Sequence, residues 1–231
     1  MAAVPSGGGP LVYVDDLDAP RLTEDDHHHL ARVRRLRAGD AVVLGDGRGG
    51  WRTARFAGTE PEPIGPIERE PRPTPEVGVA FALVKGAKPE LVVQKLTELG
   101  VERIVPFVAD RSVVRWDASR AAAAHERLTK VAWGAAAQSR RAWLPIVEPV
   151  ADFDAVAARP GAARCDRDGE PPSSASSFLL VGPEGGWSPT ERAVDLPVVR
   201  LAPGVLRAET AAIAAANLLV ALRAGVVGPA S

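Results

Sequence analysis

Short apolar runs alternate with longer amphipathic stretches through the last two thirds of the chain. Val77 to Val84, Arg103 to Val108, Phe178 to Val181 and the run opening at Val198-Val199 predict buried strands. Between them, Pro89 to Leu99 carries Val92, Leu96 and Leu99 on one helical face and stops at Gly100. Ser119 to Gln138 predicts an Ala-rich helix, and Thr210 to Arg223 a final apolar one. Ile146-Val147 predicts a short strand and Asp152 to Ala158 a short helix. Arg159 to Ser177 is rich in Pro, Gly, Ser and charge and predicts an exposed loop. Such alternation implies an α/β fold with a largely parallel sheet and helices on both faces.

The first third reads differently. Leu11 to Val14, Ala41 to Leu44 and the alternating Trp51 to Phe56 predict strands, with one short helix over Glu24 to Leu36. This composition suggests a small β-barrel. Pro61, Pro63, Pro66, Pro71, Pro73 and Pro75 forbid a helix or a central strand there and predict an edge strand running into a linker. The expected domains are therefore 1–75, with a Pro-rich linker over 60–75, and 76–231. Met1 to Pro10 is Gly/Pro-rich, lacks the pattern of a signal peptide, and is expected to be a loose tail.

Composition adds little until charge is divided along the chain. The net formal charge is −1, yet residues 85–145 hold 11 basic and 6 acidic side chains between more acidic flanks. That segment either presents an electropositive face to nucleic acid or is simply solvated helix surface. The single cysteine, Cys165, excludes an intrachain disulfide and a thiolate metal cluster and favours a reducing compartment, the cytoplasm. No apolar run reaches the roughly 20 residues a membrane span requires. His27, His28 and His29 point to different faces of a helix and form no metal site, so no metal is expected.

The candidate chemistry lies in two glycine-bearing turns. Each follows a predicted strand and precedes a predicted helix: Val181-Gly182-Pro183-Glu184-Gly185-Gly186, and Leu201-Ala202-Pro203-Gly204-Val205-Leu206. Ligands of α/β sheets bind at such ends. Ser188-Pro189-Thr190-Glu191 is a capping box, so a helix starts directly after the first turn. Neither a P-loop Lys nor a dinucleotide glycine pattern is present. Glu184 would repel phosphate and attract a cation. The loops are either two plain turns or the walls of a site for a cationic nucleoside such as S-adenosylmethionine.

Leu180 to Ser188 with Glu191, followed by Leu206-Arg207-Ala208-Glu209-Thr210-Ala211, resembles the signature pair of the RsmE-type ribosomal RNA methyltransferases of the SPOUT class. Gln94 to Val101 with Ile104 and Pro106, then Arg111-Ser112, then Gln138 to Arg141 with Pro145, and upstream His28-His29-Leu30 with Val33, Arg35, Gly39 and Asp40, resemble further family segments in the same order. Leu11, Arg34, Ala137 and the stretch Arg164 to Asp168 depart from the pattern. The resemblance implies transfer of a methyl group from S-adenosylmethionine to N3 of one uridine in small-subunit (16S) ribosomal RNA. It also implies a trefoil-knotted SPOUT-type α/β domain, an N-terminal PUA-like β-barrel, a homodimer, and rRNA or the 30S particle as partner. Alternatives are another SPOUT methyltransferase, acting on ribose 2′-OH or tRNA, and a non-catalytic RNA-binding assembly factor.

On this reading the cofactor lies against Val181, Gly182, Pro183, Glu184, Gly185, Gly186, Leu201, Gly204, Val205, Leu206, Thr210 and Ala211, with Leu83 nearby. Arg207 is the leading catalytic candidate, as a donor near the uridine carbonyls; its other possible role is an ion pair with Glu209 or Glu184. Glu209 either takes part in catalysis or braces the loop. Arg32, Arg35, Arg37, Lys85, Lys88, Arg111, Arg140 and Arg141 are the candidate RNA contacts, the last five placed on the larger domain.

Overall fold

The computed structural model describes residues 5–86 and 88–228. The first four residues of the expected tail lie outside that range. The chain divides into two compact units, Met1–Pro73 with Ala136–Leu144, and Thr74–Ala135 with Pro145–Ser231.

The first unit is built on a five-stranded sheet. Strand β1 (Leu11–Tyr13) lies parallel to β2 (Ala41–Gly45), which forms an antiparallel hairpin with β3 (Gly50–Phe56). β4 (Pro61–Pro63) and β5 (Glu68–Arg69) also pair with β3, and β4 ends the strand order, where proline's missing N–H does least harm. The predicted helix over 24–36 is shorter than its pattern implied. α1 (Glu24–His28) is capped by the Thr23 hydroxyl, passes into a π-helical turn at His29–Val33, and ends as Arg35 adopts a φ of 56°. Leu30 from that turn is buried among Val12, Val42, Leu44 and Phe56.

Residues 136–144 belong to this unit, which moves Arg140 and Arg141 away from the larger domain where the sequence reading had them. Three contacts explain it. Ala142 is buried with Leu11, Val43 and Trp51. The Tyr13 hydroxyl donates to the Arg141 carbonyl at 2.7 Å. The Arg140 guanidinium donates to the carbonyls of Pro5 and Gly9, so the described part of the tail is fastened rather than loose.

The second unit carries a seven-stranded, all-parallel sheet. In chain order its elements are β6 (Gly78–Ala82), α2 (Lys88–Leu99), β7 (Arg103–Val108), α3 (Ala118–Gln138, whose last turn belongs to the first unit), β8 (Ile146–Val147), β9 (Ala151–Asp152), α4 (Phe153–Ala157), β10 (Ala162–Glu170), β11 (Phe178–Val181), α5 (Pro189–Ala193), β12 (Val198–Val199) and α6 (Ala208–Arg223). The spatial order is β12-β10-β11-β6-β7-β8, with β9 also beside β7. Alternate strand residues feed two cores. Val79, Phe81, Ile104, Leu179 and Val181 meet Val92, Leu96, Ala212, Ala216 and Leu219 of α2 and α6. Ala80, Val105, Phe107 and Leu180 meet Phe153, Val156 and Trp187. Each large side chain buried this way contributes about 1.5–3 kcal/mol. Ala212, Ala215 and Ala216, one helical turn apart, keep the buried face of α6 flat.

One expectation fails here. Ala162–Glu170, expected to be part of an exposed loop, is a strand between β11 and β12. Its polar sequence is accommodated locally: Ala162 and Ala163 are buried, and the buried Arg164 guanidinium donates to the carbonyls of Glu191 (2.8 Å) and Val194 at the end of α5. β11 and β12 are therefore not neighbours. Being parallel to a common partner, they still send their following loops to the same end of the sheet.

Candidate functional site

The two glycine loops meet around a cavity of about 380 Å³, within the range of small-molecule sites. Residues 181–187 form one wall. Leu201, Ala202, Gly204, Val205 and Leu206, with Ala208 and Ala211 from the start of α6, form the other. The middle of β10 contributes Cys165, Asp166 and Arg167, and α5 contributes Arg192.

The first wall is fixed by a chain of contacts. Trp187 is 3% exposed, lies near-parallel to Phe107 with ring centroids 6.1 Å apart, and donates its indole N–H to the Cys165 carbonyl at 2.9 Å. A β-carbon on Gly182 would stand 2.8 Å from that indole, so only glycine lets the ring close over the loop. The Gly186 N–H donates to the Pro183 carbonyl, and Gly186 takes a φ of 69°, the left-handed region that glycine enters without strain. The capping box is complete: the Ser188 hydroxyl accepts from the Glu191 N–H and the Glu191 carboxylate accepts from the Ser188 N–H at 2.7 Å. The buried Glu191 also accepts from the Asp110 N–H at 2.9 Å, which ties the loop to the end of β7. Arg111 donates to the Gly185 carbonyl at 3.2 Å.

The second wall has none of this. Among the described residues no hydrogen bond involves residues 201–206, and Val205 is 79% exposed. Arg207 is the N-cap of α6 but its side chain makes no capping bond. It is exposed and, among the described residues, forms no ion pair. The expected partners of Arg207 are taken by another cation. The Lys88 ammonium lies 3.1 Å from Glu209 Oε1 and 3.3 Å from Glu184 Oε1. Its pKa is raised, mainly by the bond to Glu209. Glu209 is held below the usual carboxylate range, first by its own backbone N–H in the first turn of α6, then by Lys88 and Arg207. Burial raises the Cys165 thiol, which stays protonated.

Of the residues assigned from sequence to the cofactor, Val181 to Gly186, Leu201, Gly204, Val205, Leu206 and Ala211 line the cavity. Leu83 is buried outside its lining, and Thr210 is exposed on α6. Arg32, Arg35 and Arg37 are exposed in the first unit, as is Lys85 in the second. Arg140 is engaged with the tail carbonyls and Arg111 with the first loop. Sequence reasoning missed Cys165, Asp166, Arg167, Trp187 and Arg192 in the lining. Trp187 had a visible signal, a large apolar side chain directly after the Gly185-Gly186 turn; the β10 residues had none, because their strand was not recognised.

Comparison with known proteins agrees with this arrangement. Residues 70–220 match the RNA methyltransferase domain family and residues 22–64 the RNA methyltransferase PUA domain family. Ribosomal RNA small subunit methyltransferase E of Mycobacterium tuberculosis is 36% identical, over 89% of this chain and 88% of that protein. The Bacillus subtilis protein of the same name is 30% identical, over 86% and 88%. Among solved structures, Lpg2936 from Legionella pneumophila, in complex with the bound cofactor SAM, superposes with a TM-score of 0.81 at 26% identity, covering 93% of this chain and 98% of that one. Ribosomal RNA small subunit methyltransferase E from Neisseria gonorrhoeae, bound to S-adenosyl methionine, gives 0.74 at 26% identity, covering 92% and 97%. The chain belongs to the ribosomal RNA small subunit methyltransferase E family.

Proposed function

We propose that this protein methylates N3 of a uridine in small-subunit ribosomal RNA, with S-adenosylmethionine as donor bound between the two glycine loops. The observation that carries this reading is the convergence of both glycine loops on one cavity, with the Glu184 carboxylate in its lining. The residues present fit the donor. Backbone of 181–186 and 201–206 supplies peptide donors and acceptors for a nucleoside, Leu201, Val205 and Leu206 supply apolar surface, and Glu184 supplies attraction for a cation. Leu83 and Thr210, outside the lining, are further candidate cofactor contacts.

S-adenosylmethionine supplies an electrophilic methyl on a cationic sulfur, and the uridine must present N3 as an anion or lose its proton during attack. Arg207 sits at the lip of the second wall, exposed and making no capping bond, and it stabilises negative charge spreading onto the uridine carbonyls. Glu209, held ionised by its own amide and Lys88, is a weak base; its role is to hold the lip rather than to take the proton.

The same reading extends to the rest of the chain. The second unit is a trefoil-knotted domain, supported by strand β12 at the sheet edge leading to α6, which packs on α2 and the central strands. The first unit is a PUA-like barrel that binds RNA, and Arg32, Arg35 and Arg37 are exposed on it for that task. Lys85 and Arg111 of the second unit, and Arg140 and Arg141 of the first, are further candidate RNA contacts. The working protein is a homodimer in the cytoplasm, where its ribosomal substrate is found. The test is mass spectrometry of nuclease digests after purified protein, S-adenosylmethionine and undermethylated small subunits are mixed. N3-methyluridine in 16S rRNA is the expected product; methyl on ribose, on tRNA, or on nothing contradicts the proposal.

A further inference from the structure

We propose that Lys88 is a positioning residue, a single ammonium that clasps the two walls of the donor cavity together. The inference rests on the reading of that cavity as the methyl-donor site. Three elements meet at this side chain. Lys88 opens α2, Glu184 stands in the first loop, and Glu209 stands in the first turn of α6, one residue after Ala208 of the cavity lining. Lys88 Nζ reaches Glu209 at 3.1 Å and Glu184 at 3.3 Å.

The placement costs something locally. A cation in the first turn of a helix faces the positive end of the helix dipole, where acidic residues are favoured. Two carboxylates drawn to one point repel each other unless a cation stands between them. Each feature alone is unfavourable, and together they cancel, with the result that the loose second wall gains a tether to the braced first wall. Glu184 is 64% exposed and Glu209 only 14%, so the Glu209 arm is the firmer and the Glu184 arm the one that water can replace. This removes Lys88 from the candidate RNA contacts: its charge is already spent on the cavity.

A clasp and a mere charge differ in what they do to ligands. Removing a cation beside a cationic donor strengthens attraction for the sulfonium, whereas removing a clasp weakens any ligand held between the walls, charged or not. Titration calorimetry of S-adenosylmethionine and of the uncharged thioether product S-adenosylhomocysteine separates the two, using wild type, Lys88→Met and Lys88→Arg.

Lys88→Met should bind both ligands more weakly, the uncharged one by about fivefold or more, with its melting temperature little changed, and Lys88→Arg should regain most of the loss. Tighter binding of S-adenosylmethionine alone overturns the clasp. Unchanged binding of both ligands with weakened affinity for small subunits makes Lys88 an RNA contact and also overturns it. Should Lys88→Met misfold, Glu209→Gln cuts the firmer arm from the other side and must likewise weaken both ligands, the uncharged one included; normal affinity for S-adenosylhomocysteine in that variant refutes the proposal. Failure of the wild type to bind either ligand strikes the methyl-donor reading itself, which is seen without any variant.

Discussion

Gly182 and Gly204 stand one in each loop of the donor cavity, and their surroundings differ. A β-carbon on Gly182 would meet the Trp187 indole at 2.8 Å; one on Gly204 would meet nothing within 4 Å. The same contrast runs through both walls. The first is fastened by an indole that reaches β10, a capping box at the start of α5, and a buried carboxylate and an arginine that both join it to the segment after β7. In the second, Leu201 and Ala211 pack against the core, but among the described residues no hydrogen bond involves 201–206, and the ion pair at its far end is that of Lys88 with Glu209. A site built this way has one preformed surface and one that gains order from what binds. On the proposed function, the preformed wall sets where the donor lies and the open wall carries Arg207 toward the acceptor.

The largest effect should come from the open wall. Arg207→Ala should lower kcat by about 100- to 1,000-fold while leaving the affinity for S-adenosylmethionine and the melting temperature near wild type, because one preorganised charge donor is lost and no packing is disturbed. Equal loss in binding and turnover would make the arginine part of the frame and erase the contrast. On the braced wall, Gly182→Ala should cost about 1–3 kcal/mol of stability through overpacking. It should also weaken donor binding as Trp187 is displaced. Gly204→Ala, its counterpart, should stay within about 0.5 kcal/mol of wild type in thermal or urea unfolding. Similar costs at the two glycines would contradict the difference between the walls.

A smaller effect lies away from both loops. Glu148 accepts from Arg103 at 2.7 Å and Arg159 at 2.9 Å, and these guanidinium groups, Arg159 first, hold its carboxyl below the usual range. A lowered carboxylate pKa gives stability that is complete above the unfolded value and is lost as pH falls through the folded one. Glu148→Gln should therefore cost about 1 kcal/mol near neutral pH, allowing for screening, and nothing once pH lies below the folded pKa. Urea unfolding at several pH values measures it. A cost that persists in acid would locate the effect in shape rather than charge.

Much of the frame could be read along the chain. Val79, Phe81, Ile104, Leu179 and Val181 announce buried strands, Val92 and Leu96 the inner face of α2, and Ser188 with Glu191 the start of α5. β10 could not be read, because Arg164 to Glu170 has the composition of a surface loop. It becomes a strand only because β11 and β12 flank it and the carbonyls at the end of α5 receive Arg164. The packing of residues 136–144 with the first unit could not be read either. Ala142 and Arg140 find their partners about 130 residues upstream, at Leu11, Pro5 and Gly9, and local pattern carries no trace of that. The site divided along the same line: the glycine turns were visible as turns, whereas the cation that serves their carboxylates, Lys88, lies 96 residues from one and 121 from the other.

Amide hydrogen exchange with and without S-adenosylmethionine tests the central claim, that the donor sits between a preformed wall and one that it orders. Residues 183–191 should exchange slowly in the free protein and change little. Residues 201–207 should exchange fast when free and gain strong protection when the donor binds. Protection appearing elsewhere, or already present at 201–207 in the free protein, would contradict the account.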